Sequence, residues 1–285
     1  MSVATPFERA LAYAASAAPL SWLAGKVADA RLPGPMVSAM VRGWSRAFRI
    51  SADQLDREPG GYACLNEFFT RGLARGRELP GWVPDTVVSP VDGVLQQVGH
   101  LSGSDVFTVK GQEIDVAGLT GDELARDRFK GGSYALIYLS PRHYHRVHAP
   151  ADAELQGFRY VPGRLFPVNR LGMAVPGLFL RNERIVLFFE TPRGSLWLVM
   201  VGASVVGRMT LVHDAFSTAD HFLKRSVEQI FDPVHDVAAL DEVGAFNIGS
   251  SVVMLAEEAG VLTDREPGEI RLGEVLWTSP PAPSP

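Results

Sequence analysis

The sequence predicts an α+β protein: N-terminal helices followed by a mostly antiparallel β domain of sandwich or barrel-like build. Two observations carry that prediction. Apolar residues recur near every 3.6 positions over residues 5–50, and from about Thr86 the spacing falls to 2. From the same point β-branched runs are punctuated repeatedly by Gly and Pro, the pattern of many short strands joined by turns.

The helical stretch is expected to break at Pro19 and again at Leu32-Pro33-Gly34-Pro35. Beyond the second break Val37, Met40, Val41, Trp44 and Phe48 share one helix face, and Arg42, Arg46 and Arg49 take the other. That is a basic amphipathic helix. The pattern fits equally a helix lying on its own protein and one lying in a membrane interface.

Strands are expected at Thr86–Val88, Gly93–Val98, Val106–Lys110, Tyr134–Leu139, His145–Val147, Glu154–Tyr160, Ile185–Glu190, Ser195–Val206 and Ser250–Leu255. Asp214–Asp241 reads as partly helical or irregular, and Ser279–Pro285 as a Pro-rich tail with nothing to bury. The division that follows is a basic helical region over 1–60, a β-rich domain over 61–278 and a flexible tail over 279–285.

Composition excludes several classes. An apolar fraction of 46% with 21% charged residues describes a folded globule, not a disordered chain. The single cysteine, Cys64, supplies neither an internal disulfide nor a zinc cage. A net charge of −5 argues against general nucleic-acid binding. Positive charge is instead concentrated at the N-terminus, where six bases face two acids over residues 1–50. The longest apolar stretch, Ala10–Gly25, contains Pro19 and falls short of the ~20 residues needed to cross a bilayer. With Glu8 in its charged flank it is also a poor secretory signal, so a cytoplasmic location is expected.

Three clusters carry chemistry. Ser89-Pro90-Val91-Asp92-Gly93 places an acid at a tight turn, where it could equally bond its own backbone. Tyr138–Pro150 holds His143, His145 and His148, three of the seven histidines. No HExxH glutamate accompanies them, Arg142 and Arg146 are poor neighbours for a cation, and in an extended chain His148 faces away from the other two. They are acid/base candidates and not metal ligands. Phe246-Asn247-Ile248-Gly249-Ser250-Ser251 sets a glycine and two hydroxyls at the mouth of an apolar strand, where a simple turn would serve as well. Together Asp92, His148 and Ser250 supply the parts of a Ser–His–Asp relay. The nucleophile elbow Gly-x-Ser-x-Gly is absent, with Ile248 and Val252 at the glycine positions.

These clusters, with Leu65–Arg71, Tyr160–Asn169, Leu180–Arg184 and Val201–Gly207, resemble the phosphatidylserine decarboxylase family in content and order from about residue 60 to 255. The family's usual Leu-Gly-Ser-Thr reads Ile248-Gly249-Ser250-Ser251 here, keeping the reactive Gly-Ser pair. Of the two hydroxyls Ser250 is the expected nucleophile, because Gly249 has no Cβ to block its approach to the preceding carbonyl. The resemblance implies a bacterial-type proenzyme that cuts itself between Gly249 and Ser250, giving a β chain 1–249 and an α chain 250–285. Asp92 and His148 would activate Ser250, which becomes a covalent pyruvoyl group and forms a Schiff base with phosphatidylserine. His145 would serve the loss of carbon dioxide that yields phosphatidylethanolamine. A self-made ketone replaces pyridoxal phosphate, consistent with only four lysines and none in a cofactor motif.

By the same resemblance the N-terminal helices are membrane-associating, with Trp44 and Phe48 among the headgroups and the arginines on anionic lipid. The protein would then be peripheral on the cytoplasmic face of the inner membrane. The cut chains would form a heterodimer, and two of these a dimer. Arg71, Tyr160, Phe166 and Asn169 are the candidates for lining the substrate site. Two rival readings remain: an uncut Ser-His-Asp hydrolase, and a non-catalytic barrel-sandwich carrier whose nearest modifiable lysine is Lys110.

Overall fold

A computed structural model of the chain describes residues 6–16, 18–50, 56, 61–74, 77–80, 82–101, 106–109, 111–168, 175–204, 208–218, 225–247 and 250–280. The helices α1 (Pro6–Ala15), α2 (Ala18–Asp29), α3 (Gly34–Phe48) and α4 (Leu65–Phe69) open the chain. Next come β1 (Thr86–Val88), β2 (Gly93–His100), β3 (Val106–Val109), β4 (Gln112–Asp115), α5 (Val116–Thr120) and α6 (Ala125–Arg128). The middle holds β5 (Ser133–Leu139), β6 (Arg146–His148), β7 (Ala153–Val161), α7 (Leu178–Arg181), β8 (Arg184–Thr191), β9 (Gly194–Gly202) and β10 (Met209–Leu211). Last are β11 (Val227–Val237), β12 (Glu242–Phe246), β13 (Ser250–Ala256), β14 (Val261–Leu262), β15 (Gly268–Ile270) and β16 (Val275–Thr278).

The frame is an antiparallel sheet of eight strands in the order β11-β7-β8-β9-β13-β5-β2-β15. It is open, with β11 and β15 at its edges, so the barrel-like expectation gives way to a layered sheet. Its central strands read as unbroken apolar runs because both faces are covered. On one face Ile185, Met200, Val252 and Met254 meet Val147, Met209, Val243 and Phe246 of a small sheet, β10-β12-β6, and Leu276 and Trp277 of another, β1-β16-β14. On the other face Val199, Val253 and Leu255 meet the β3–β4 hairpin, α5, α7 and Ala12 of α1.

Three expectations need correction. The helical break falls between α1 and α2, and Pro19 sits inside the first turn of α2, where its missing N–H costs no intrahelical bond. The segment read as irregular holds β11, which the period-2 signal missed. As an edge strand β11 carries Glu228, Asp232, Pro233, His235 and Asp236, and Pro233 lies in the interruption of its ladder between Ile230 and His235. Its neighbour β7 bulges between Leu155 and Gly157. Gly157 there has φ 154°, and an added Cβ would collide with the Gln229 carbonyl.

The third concerns α3. Val37 and Val41 are buried, and with Trp44 and Phe48 they pack on Ile50, Tyr62 and Phe68. Trp44 lies edge-on to Phe69 of α4 at 4.8 Å between centroids. The apolar face of this helix is therefore covered by its own protein, and Trp44 and Phe48 do not project from it. No described helix is long and apolar enough to cross a membrane. Of the proposed tail, Ser279 and Pro280 are described and 281–285 lie outside the described residues, as does Lys110.

Met254 is fully buried in the middle of β13. Met254→Ala is expected to lower unfolding stability by about 2–5 kcal/mol, measured by urea denaturation, through lost burial and a residual cavity.

Candidate active site

The site grows from the N-terminal end of β13. Ser250 pairs with Leu139 of β5 on one side and Gly202 of β9 on the other, so its backbone is held in the centre of the sheet. Its side chain alternates with Val252 and Met254 and points into the first core layer. Ser250 is fully buried, and its Oγ has no hydrogen-bond partner among the described residues. A buried hydroxyl without a hydrogen-bond partner is costly, which makes Ser250 a candidate for chemistry. Ile248 and Gly249 lie outside the described residues.

The histidine segment crosses the same layer. The Phe246 N–H donates to the His145 carbonyl at 2.9 Å, which extends the β6–β12 ladder, and the His145 ring lies edge-on to Phe69 of α4 at 6.3 Å. His145 is fully buried; its Nδ1 donates to the His143 carbonyl at 2.8 Å, and Nε2 has no partner among the described residues. Burial, reinforced by the nearby Arg71 guanidinium, pushes its pKa down to about 3. The ring is thus neutral at physiological pH, with the proton on Nδ1 and a free lone pair on Nε2.

His148 faces the other way. Its Nδ1 donates to the Leu240 carbonyl at 2.6 Å, and its Nε2 accepts from the Tyr144 hydroxyl at 2.9 Å. Burial lowers its pKa and raises that of Tyr144. His148 therefore presents the tautomer a general base requires, with Tyr144 occupying the lone pair. Asp92 lies near enough to be felt by His143, His145 and His148. Its carboxylate, however, is forked by Arg77 through two bonds of 2.6 Å and accepts from the Leu272 N–H at 2.8 Å. The relay expected from sequence is thus gathered in one region but is not hydrogen-bonded in sequence-predicted order. The Leu240 carbonyl holds Nδ1 of His148, Arg77 holds Asp92, and Ser250 is unengaged. His143 diverges from the other two: Nδ1 accepts from the Ser140 N–H, and Nε2 lies 3.2 Å from Glu269 at the surface. Among the described residues no group of His, Cys, Asp and Glu forms a metal-binding cluster.

A family model described as phosphatidylserine decarboxylase matches residues 65–277. The chain belongs to the phosphatidylserine decarboxylase family. Among similar curated proteins, phosphatidylserine decarboxylase proenzyme of Albidiferax ferrireducens is 37% identical over 270 residues, spanning 92% of this chain and 93% of the relative. The proenzyme of Delftia acidovorans is 39% identical over 83% of each chain. That of Shewanella baltica is 38% identical over 87% of this chain and 86% of its own.

The four residues expected to line the family's substrate site fall in different places. Arg71 is buried and donates to the carbonyls of Phe68, Arg142 and His143, so it braces the loop that aims His145. Phe166 is buried in the second core layer, edge-on to Tyr13 of α1 at 5.0 Å. Asn169 lies outside the described residues. Tyr160 faces the first layer with Ser250, and its hydroxyl donates to Glu183 at 3.2 Å. Glu183, Arg77, Tyr144 and the Leu240 carbonyl were not assigned roles from sequence. Tyr144 and Glu183 stood inside quoted motifs without a chemical pattern to single them out, whereas Arg77 and Leu240 carried no local signal.

The His145 ring is expected to stay neutral, protonated on Nδ1, from pH 8 down to pH 5 in the folded protein. Nitrogen NMR of labelled imidazole reads this directly. Because its folded pKa lies below the ordinary 6.5, His145 contributes stability that is complete above pH 6.5 and is lost as pH falls toward 3.

Proposed function

We propose that this chain is a phosphatidylserine decarboxylase made as a proenzyme, which cuts itself between Gly249 and Ser250 and turns Ser250 into a pyruvoyl group. The observation that carries the reading is the buried, unpartnered Ser250 Oγ at the head of the central strand, directly after a glycine.

In the cleavage His148 takes the Ser250 hydroxyl proton on Nε2, once Tyr144 has released that lone pair. The oxygen attacks the Gly249 carbonyl, the Gly249–Ser250 C–N bond breaks, and the freed nitrogen takes up a proton. Loss of the Ser250 Cα proton expels the Gly249 carboxylate, and water then displaces ammonia to leave a ketone. Asp92 keeps negative charge beside the imidazolium that forms, with Arg77 as its present partner.

The residues present fit a pyruvoyl group: a buried hydroxyl without a partner among the described residues stands where the ketone would be made. That group supplies a carbonyl that captures the substrate amine and draws electrons from its Cα. A neutral, dry His145 suits the loss of carbon dioxide, because a carboxylate placed in such surroundings loses its hydration and is favoured to depart uncharged.

The substrate is a lipid, and we place the enzyme peripherally on the cytoplasmic face of the cell membrane. With the inner face of α3 covered, the membrane surface is built from Arg42, Arg46 and Arg49, which are exposed on α3, and from exposed Leu23, Val27 and Met36. Each arginine near anionic headgroups adds about 1 kcal/mol. Residues 1–60 are proposed as the membrane-associating region, and the two cut chains as a heterodimer that pairs with a second copy.

Ser250→Ala and His148→Ala are expected to remain whole on denaturing gels and to form no phosphatidylethanolamine. His145→Ala is expected to cut itself and yet decarboxylate about 10²–10⁴-fold more slowly. A cut, active Ser250→Ala protein would transfer the assignment to Ser251.

A further inference from the structure

One buried acid is unused by the cleavage. Glu183 directly precedes β8, and the Gly202 N–H donates to its carbonyl at 2.9 Å, so it continues the β8–β9 ladder. Gly202 in turn pairs with Ser250. Glu183, Gly202 and Ser250 therefore stand in one row across three strands, two positions beyond Ile185, Met200 and Val252, and they share the face of that first core layer. With strands roughly 4.8 Å apart, the outer two Cα atoms are about 10 Å from each other. The residue between them is a glycine. An added Cβ there would press on Glu183 Cγ at 3.3 Å and Leu165 Cδ2 at 3.2 Å, so the Glu183 side chain packs directly over the glycine that separates it from residue 250.

The carboxyl itself is set for donation. The Tyr160 hydroxyl from β7 donates to Oε2 at 3.2 Å, and the Thr218 hydroxyl, in the segment after β10, also bonds the carboxyl. Oε1 has no partner. Burial, against the opposing pull of those two hydroxyls, raises the Glu183 pKa to about 8, so at neutral pH the group keeps its proton. With Oε2 accepting, that proton belongs on Oε1, which has no acceptor among the described residues. His145 is neutral, with no partner at Nε2 among the described residues, and so it is not an acid. Environments that push two groups' affinities apart assign their roles.

We propose that Glu183 is the proton donor of the decarboxylation, protonating the substrate carbon that loses its carboxylate. The proposal rests on the reading of Ser250 as the future ketone. Departure of carbon dioxide leaves the electron pair of the broken C–C bond on the substrate Cα. The Oε1–H bond of Glu183 breaks, a C–H bond forms at that Cα, and Glu183 is left as a carboxylate. It recovers its proton from solvent when the amine product leaves, so one proton is consumed per carbon dioxide released.

The test compares the full-length wild type with Glu183→Gln, which keeps shape and an N–H but has no acidic proton, using phosphatidylserine in mixed micelles. Glu183→Gln is expected to cut itself as the wild type does and to turn over about 10²–10⁴-fold more slowly. A second readout is the mass of its α chain after turnover. Without the donor, protons reach the carbon of residue 250 instead, the substrate nitrogen stays behind, and an N-terminal alanine replaces the ketone. A Glu183→Gln enzyme with wild-type turnover and an intact ketone would overturn the proposal and leave the family reading standing, and so would a variant that stays uncut. A wild type that is itself uncut and inactive would overturn both. The wild type alone supplies a further check should the variant fold poorly: kcat is expected to fall as pH rises through about 8. The hydroxyls of Tyr160 and Thr218 are what face Glu183, and Tyr160 is raised by burial above its ordinary value, so neither titrates in that window. A kcat that stays flat to pH 10 contradicts the assignment.

Discussion

The arrangement depends on β13 lying between β9 and β5, hydrogen-bonded along its length on both sides. A strand in that position is fixed by its neighbours and needs no covalent link to the chain that precedes it. The bond before Ser250 can therefore be given up without releasing the residue that carries the chemistry. The same ladder determines what surrounds the new terminus: Leu139 and Gly202 flank it, and the layer containing Val147 and Phe246 lies over it. Cleavage of a loop-borne serine would leave a free end, whereas the proposed cleavage before Ser250 would leave a terminus seated in a packed core.

Within that core, polarity is divided among groups whose burial sets their protonation. His145 is kept neutral by desolvation and by Arg71, which donates to the same His143 carbonyl that receives the His145 Nδ1 proton. Glu183 is kept neutral by the same desolvation acting on an acid. A base without its proton and an acid with one thus coexist in the buried interior at the same pH. His148 is held by Tyr144 and the Leu240 carbonyl, with the Asp92–Arg77 pair nearby, so on the proposed reading the group serving cleavage has partners different from those of the groups serving turnover.

Much of this was legible in the sequence, and what was not has physical causes. Strands covered on both faces announce themselves as apolar runs, so β5, β8 and β13 were found close to their observed limits, whereas the run expected to reach Val206 leaves the sheet after Gly202. The edge strand β11 was not, because with little apolar burial to satisfy it carries acids and a proline instead. The face of α3 was correctly read as apolar, but periodicity cannot say what covers such a face, and α4 with Tyr62 does so. The residues Asp92, His145, His148 and Ser250 could be named from their motifs. Their partners could not: Arg77, Tyr144 and the Leu240 carbonyl reach the site through tertiary contacts, and Glu183 gains its meaning only when three strands place it beside a glycine across from Ser250.

The most direct test of the account is the intact mass of the purified wild-type protein under denaturing conditions. The account predicts two chains, 1–249 and 250–285, the smaller beginning with a ketone in place of the serine amine and staying with the larger until denaturant is added. A single unbroken chain of 285 residues that nonetheless forms phosphatidylethanolamine would contradict it.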